Sequence, residues 1–160
     1  MSTSRSCLAA VAAGFLLVAC GGSVGTVAPA TVDTSKMMVS LDSTFTRSVP
    51  VGSPTSFDID VKDVGAVDIP NLTVIFDDGD RFMDNYTVQS AGACKVDKGL
   101  PGLTCGKVAT GADLKVTITA QPSKAGSFVF KFHLANNKQR LHQSDDNEYV
   151  YSWTQTVTAA

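Results

Sequence analysis

The 160-residue sequence contains few of the residues that catalytic sites most often use. It has two histidines, His133 and His142, and four cysteines. It has no Gly-x-Ser-x-Gly segment, no phosphate-cradling glycine loop and no paired spacing of zinc ligands. His133 is expected on the polar face of its strand and His142 in a hydrophilic loop. We therefore predict that the protein is not an enzyme and carries no cofactor.

An excess of positive charge is also missing. The chain has 13 basic and 15 acidic residues, with no run of arginines and no interleaving of basic and aromatic residues. Proteins bind the phosphate backbone through lysine and arginine, so nucleic acid is not an expected partner.

No hydrophobic run is long enough to span a membrane. The apolar stretch at residues 7–19 has about 13 residues, whereas a membrane-spanning helix needs about 20. It follows Arg5, the only charged residue before position 20. A positive start followed by a short apolar centre is typical of an export signal, so residues 1–19 are predicted to be a removable leader.

The end of this leader carries the most specific motif in the chain. Residues 17–20 read Leu-Val-Ala-Cys and are followed by Gly-Gly-Ser. This segment resembles the lipobox of bacterial lipoproteins, which implies cleavage before Cys20 and a diacylglyceryl group on its sulfur. An acylated Cys20 would hold the protein on a membrane of the cell envelope. Gly21, rather than aspartate, resembles the outer-membrane sorting pattern of Gram-negative hosts. An ordinary secretion signal with an Ala-x-Ala site is the alternative.

The remaining chain divides into a tether and one domain. Residues 20–35 are small and polar without periodicity, which predicts a flexible, lipidated tether. Residues 36–160 form the predicted domain. Once Cys7 leaves with the leader and Cys20 is acylated, only Cys94 and Cys105 remain. Two cysteines in an oxidising compartment are expected to form a disulfide.

The domain shows the alternation of apolar and polar residues that is typical of half-buried strands. Turn residues rich in glycine and aspartate separate the runs, and no amphipathic helix is evident. The pattern predicts an all-β, antiparallel sandwich of about 7–9 strands. The candidate strands are 37–41, 44–49, 57–61, 72–76, 85–90, 104–108, 114–120, 128–134 and 148–158.

Residues 51–158 resemble the Ig-like conserved-repeat domains of bacterial surface proteins. The resemblance is carried by short motifs at 51–53, 57–61, 62–65, 72–74, 94–105, 111–118, 125–126 and 146–148. Asp63 stands where that family usually has asparagine in an Asn-x-Gly turn, and this chain has one copy where relatives often have several. The resemblance implies an Ig-like sandwich that serves as a structural or binding module without catalysis.

One acidic loop offers oxygen ligands of the kind that calcium prefers. Asp77, Asp78 and Asp80 lie close together, with Asp84 nearby. Their spacing does not fit the EF-hand loop. A solvated turn explains the same residues, so no metal is assigned and the four aspartates are only weak calcium candidates.

Tyr149, Tyr151 and Trp153 fall on one face of the last predicted strand. Exposed aromatic rings could stack on sugars or anchor a protein partner. The alternative is that the same three rings belong to the core.

The sequence therefore favours a non-catalytic envelope lipoprotein that acts as a structural or protein-interaction module. Its expected partners are the membrane, through the lipid, and an envelope protein or a glycan. The alternative is a carbohydrate- or matrix-binding adhesin that uses the aromatic face.

Overall fold

The computed structural model describes residues 33–77, 82–143 and 151–160, and these form an all-β sandwich with Ig-like architecture. A 3-10 helix (Thr34–Lys36) precedes the first strand, and one α-helical turn, α1, spans Phe82–Asn85. The strands are β1 (Met38–Phe45), β2 (Ser48–Pro50), β3 (Thr55–Asp63), β4 (Ile69–Phe76), β5 (Tyr86–Ser90), β6 (Lys95–Val96), β7 (Gly102–Val108), β8 (Asp113–Pro122), β9 (Gly126–Asn136), β10 (Gln139–Arg140), β11 (His142–Gln143) and β12 (Tyr151–Thr158).

The strands form two sheets. Sheet A has the order β11-β1-β3-β8-β5, and sheet B has the order β2-β12-β9-β4-β7-β6, with β10 also pairing with β9. Most pairs are antiparallel, whereas β1 with β11 and β12 with β2 are parallel. Because β1 lies in sheet A and β2 lies in sheet B, the chain crosses between the sheets at Thr46–Arg47.

The core lies between the inner faces of the two sheets. Phe57 of β3 stacks on Trp153 of β12 with ring centroids 5.0 Å apart, and it meets Phe82 of α1 edge-on at 5.4 Å. Phe130 of β9 packs against Phe82 at 5.1 Å. All four rings are at most 1% exposed. Aromatic side chains of this size supply much of the apolar area that a domain buries on folding.

The structure bears out the predicted fold class and refines the strands. Among the described residues, eight strands have five or more residues, and the other four have two or three. Two strands are present where 37–41 and 44–49 were predicted, but the break lies elsewhere, because β1 runs unbroken from Met38 to Phe45 and β2 begins at Ser48. Ser40, Asp42 and Thr44 of β1 face outward from sheet A, Ser43 faces the core, and none of them interrupts pairing with β3. The single turn of α1 was not predicted, since four residues carry no helical periodicity.

The turn after β3 has the geometry expected of an Asx turn. Asp63 Oδ1 accepts the backbone N–H of Gly65 at 2.9 Å. A Cβ atom at position 65 would lie 2.5 Å from the carbonyl oxygen of Lys36, so the close approach of the two chain segments requires glycine here. The Asp63 side chain is fully buried, and its Oδ2 atom has no hydrogen-bond partner among the described residues.

Candidate interaction surfaces

The predicted disulfide between Cys94 and Cys105 is present. Cys94 directly precedes β6 and Cys105 lies in β7, and their Cα atoms are 4.1 Å apart. The register of β6 with β7 pairs Lys95 with Thr104, which places the two cysteines opposite each other. The disulfide therefore links the two ends of the hairpin formed by residues 94–105, which we call the stapled hairpin.

The aromatic face of the last strand belongs to the core where the structure describes it. Trp153 is 1% exposed, lies between Phe57 and Phe132, and donates its Nε1–H to Ser43 Oγ at 3.1 Å. Tyr151 is half-buried and stacks on Phe132 at 5.3 Å. Tyr149 lies outside the described residues. Trp153 therefore has no exposed ring face for stacking on a sugar, which contradicts its possible ligand-binding role.

The four aspartates proposed as weak calcium candidates are only partly described. Asp78 and Asp80 lie outside the described residues, and Asp84 is exposed on α1. The Asp77 carboxylate contacts His133 Nδ1 at 3.0 Å and Arg140 Nη2 at 3.6 Å. In the described part of the chain, no three histidine, cysteine or acidic side chains are grouped in a way that could hold a metal ion.

His133 lies on the outward face of β9, as expected, but its side chain is only 8% exposed. Burial lowers the pKa of its imidazole below the usual value of 6.5, and the nearby Arg140 guanidinium lowers it further, whereas Asp77 opposes both effects. The lowered pKa favours the neutral imidazole at pH 7. In that state its Nδ1–H can donate to the Asp77 carboxylate and hold the end of β4 against β9.

The outward face of sheet A is polar and charged along its central strands. Cross-strand register defines three rows across β1, β3 and β8. From one end of the sheet to the other, the rows are Ser40–Lys62–Asp113, Asp42–Asp60–Lys115 and Thr44–Asp58–Thr117. The residues of the first two rows line a shallow open groove. This alternation, apolar inside and charged outside, is normal for a sheet with one face in solvent.

The ion pairs on this face leave two carboxylates without a cationic partner among the described residues. Lys62 reaches Asp113 at 3.9 Å, and Lys115 reaches diagonally to Asp58 at 3.7 Å rather than to Asp60, which lies directly opposite it. Asp58 also accepts the Thr117 hydroxyl at 2.7 Å. Asp60 therefore has no cationic partner among the described residues.

Asp42 and Asp60, which we call the acidic pair, are exposed and lie directly opposite each other on β1 and β3. Like charges in this cross-strand arrangement destabilise a sheet by roughly 0.2–1 kcal/mol. The only hydrogen bond described for the Asp42 side chain is local, from the backbone N–H of Ser43 at 2.7 Å. The acidic pair is thus a local electrostatic conflict that the fold itself does not resolve.

The stapled hairpin carries the opposite charge. Lys95 and Lys98 are exposed, and neither forms a salt bridge with the described residues. Val96 lies between them in sequence and is 44% exposed. Asp97 is tied into the turn, because its carboxylate accepts the Thr104 hydroxyl and the Gly99 N–H, each at 2.7 Å. These bonds, led by that of Thr104, lower the pKa of Asp97.

Sequence alternation indicates that Asp58, Asp60 and Lys62 face away from the core. It does not predict that Asp60 lies opposite Asp42, or that Lys115 forms its ion pair with Asp58. Those facts depend on the register between β1, β3 and β8. Register is a tertiary property, because each strand alone carries the same alternation at every offset of two residues.

No helix in the described part of the chain is long and apolar enough to cross a membrane. No protein-family model matches the sequence, and no curated protein matches it.

Two solved structures share the fold over most of the chain. One is the CARDB domain of a Pyrococcus furiosus protein in complex with di-metal ions, with a TM-score of 0.51 and 12% identity, covering 81% of this chain and 100% of that one. The other is the cohesin module of a family 33 glycoside hydrolase from Clostridium perfringens, with a TM-score of 0.52 and 12% identity, covering 78% of this chain and 99% of that one. At such low identity, the similarity establishes the Ig-like fold alone.

Proposed function

We propose that the protein is a non-catalytic envelope lipoprotein whose Ig-like sandwich acts as a protein-interaction module. The observation that carries this proposal is the Ig-like fold, which this chain shares with the CARDB domain and the cohesin module over nearly the whole length of each. The described aromatic side chains are buried in the core or packed half-buried against it, so we assign recognition to the charged outer surfaces described above.

The membrane attachment in this proposal is supported by the sequence motif alone. The Leu-Val-Ala-Cys segment at residues 17–20 makes Cys20 the acylated residue, and residues 20–35 the tether that separates the sandwich from the lipid surface. Each buried methylene of an acyl chain contributes about 0.8 kcal/mol, so two or more chains give durable attachment without a spanning helix. In a Gram-negative host, Gly21 favours the outer membrane.

Mass spectrometry of protein purified from its bacterial host tests the anchor. We expect cleavage before Cys20, acyl chains on that residue and recovery of the protein with membranes, whereas a Cys20→Ala variant should lose the modification. An unmodified Cys20 in native protein would refute the anchor.

Cross-linking in intact cells tests the interaction role. We expect the sandwich to cross-link to a defined envelope protein, and the same pair to bind when both are purified. Glycan-array binding with no protein partner would favour the adhesin alternative instead, although the burial of Trp153 removes its best stacking residue. Hydrolysis of an envelope polymer by the purified protein would contradict the non-catalytic assignment.

A further inference from the structure

We propose that copies of this chain associate head to tail, with the acidic pair of one copy binding Lys95 and Lys98 on the stapled hairpin of the next. This inference rests on the proposed interaction role and names both the surface and the partner. It combines two independent observations, namely a pair of opposed carboxylates without a cation and a rigid hairpin whose two lysines lack salt bridges.

The acidic pair marks the receiving surface because it is the point where the face of sheet A departs from good cross-strand pairing. Lys62 and Lys115 both lie within reach of this face, yet both are engaged with other aspartates. Natural sequences resolve most such conflicts, and the exceptions concentrate at functional sites. Two ammonium groups from outside would neutralise the two carboxylates.

The stapled hairpin is suited to supply those ammonium groups. The disulfide at its base and the two hydrogen bonds to Asp97 in its turn fix the backbone before any contact is made. Pre-ordering reduces the conformational entropy that association must overcome. Val96 adds an exposed apolar side chain beside the lysines.

The two surfaces lie on different parts of the fold, so the contact is heterologous rather than two-fold symmetric. The acidic pair lies on β1 and β3 of sheet A, whereas the stapled hairpin belongs to the β6 edge of sheet B. No salt bridge joins Lys95 or Lys98 to the acidic pair within the described chain. Heterologous contacts form rings or open chains. Anchoring at one membrane would raise the effective concentration of neighbouring copies and favour even weak contacts.

Two complementary variants of the full chain test the proposal. One carries Asp42→Asn and Asp60→Asn and keeps the hairpin, and the other carries Lys95→Ala and Lys98→Ala and keeps the acidic pair. Self-association is measured in non-ionic detergent by co-capture of tagged with untagged copies and by sedimentation. All four positions are exposed, so both variants are expected to fold, and circular dichroism verifies this.

We expect the unsubstituted protein to self-associate at about 20 mM NaCl and to lose this association at about 500 mM, because salt screens surface charges. Each double variant alone should bind itself at least about tenfold more weakly, in line with loss of two charge pairs. A mixture of the two variants should regain the contact but stop at one-to-one complexes, because only one pair of complementary surfaces remains.

Matched controls remove the same charge elsewhere. Lys36→Ala with Lys124→Ala, and Asp33→Asn with Asp84→Asn, should leave association unchanged. The proposal is overturned if the unsubstituted protein is monomeric at low salt, if mixing does not restore binding, if the controls lose association equally, or if a chelator dissolves the complexes. None of these outcomes affects cross-linking to a different envelope protein, so failure here is distinguishable from failure of the proposed function.

Discussion

The inner and outer sides of strand β3 follow different rules. Phe57, Ile59 and Val61 face inward and are at most 1% exposed, whereas Asp58, Asp60 and Lys62 face outward. Inside, the large aromatic side chains pack against one another, and the buried amide of Gln155 is hydrogen-bonded on both its oxygen and its nitrogen. The exception on β3 is the buried carboxylate of Asp63, whose Oδ2 atom has no hydrogen-bond partner among the described residues. Outside, the acidic pair is left unresolved. Packing therefore accounts for most of the interior, whereas the acidic pair on the outer face of sheet A is a feature that stability alone does not explain.

The largest expected effect tests the interior. Trp153→Ala should destabilise the domain by about 3–5 kcal/mol, because it removes a fully buried ring from between Phe57 and Phe132. Denaturant unfolding followed by circular dichroism measures the change. Tyr151→Ala removes a half-buried ring on the same strand and should cost less. A fully stable Trp153→Ala protein would contradict the assignment of this residue to the core.

A smaller change tests the polar contact within the core. The Tyr86 hydroxyl donates to Gln155 Oε1 at 2.5 Å, so Tyr86→Phe leaves a buried acceptor unpaired at a cost of about 1–3 kcal/mol. Burial raises the pKa of Tyr86 to about 12 from 10.0. Because the pKa of Tyr86 is higher in the folded state, the stability contributed by protonated Tyr86 is present below pH 10 and is lost as pH rises towards 12.

Unfolding measured across pH 9–12 checks the assignment to Tyr86. The Tyr86→Phe protein should lose less stability over that range than the unsubstituted protein. Equal alkaline losses in the two proteins would show that Tyr86 is not the responsible group.

His133 combines features of the two sides, because it lies on the outward face of its strand and yet is buried. Its folded-state pKa is lowered, so its contribution to stability is present above the unfolded value of 6.5 and is lost as pH falls through 6.5 towards the lower folded value. The midpoint of thermal unfolding should therefore fall between pH 7 and pH 5. His133→Gln should flatten that slope, and His142→Gln, at an exposed position, serves as the control. An unchanged slope in His133→Gln would contradict this account.

The smallest effect tests the outer face directly. Asp60→Asn removes one member of the acidic pair and should stabilise the domain by about 0.2–1 kcal/mol, while it weakens self-association. Asp58→Asn is the matched control on the same strand. Because Asp58 is bonded to Lys115 and Thr117, its substitution should slightly destabilise the domain. If Asp60→Asn is destabilising, the acidic pair is not in conflict and the receiving surface loses its support.

The class of fold and most of the strands could be predicted from the amino-acid sequence. Alternation at residues 57–61, 114–120 and 128–134 identifies the buried side of β3, β8 and β9, because the side-chain direction repeats every two residues along a strand. The disulfide could be predicted as well, on the expectation that Cys7 leaves with the leader and Cys20 is acylated, which leaves Cys94 and Cys105 to pair. Each of these inferences depends on local pattern or on residue counts, which need no knowledge of neighbouring strands.

Which outward residues contact each other depends on the tertiary structure and could not be predicted from the sequence. The opposition of Asp42 to Asp60, the diagonal reach of Lys115 to Asp58 and the burial of His133 beside Asp77 all join residues that are distant in sequence. Trp153 is the clearest case, because alternation places it on one face of β12 but does not say whether that face is covered. Its burial follows from the packing of sheet B against Phe57 of sheet A, which is a property of two sheets together and of neither strand alone.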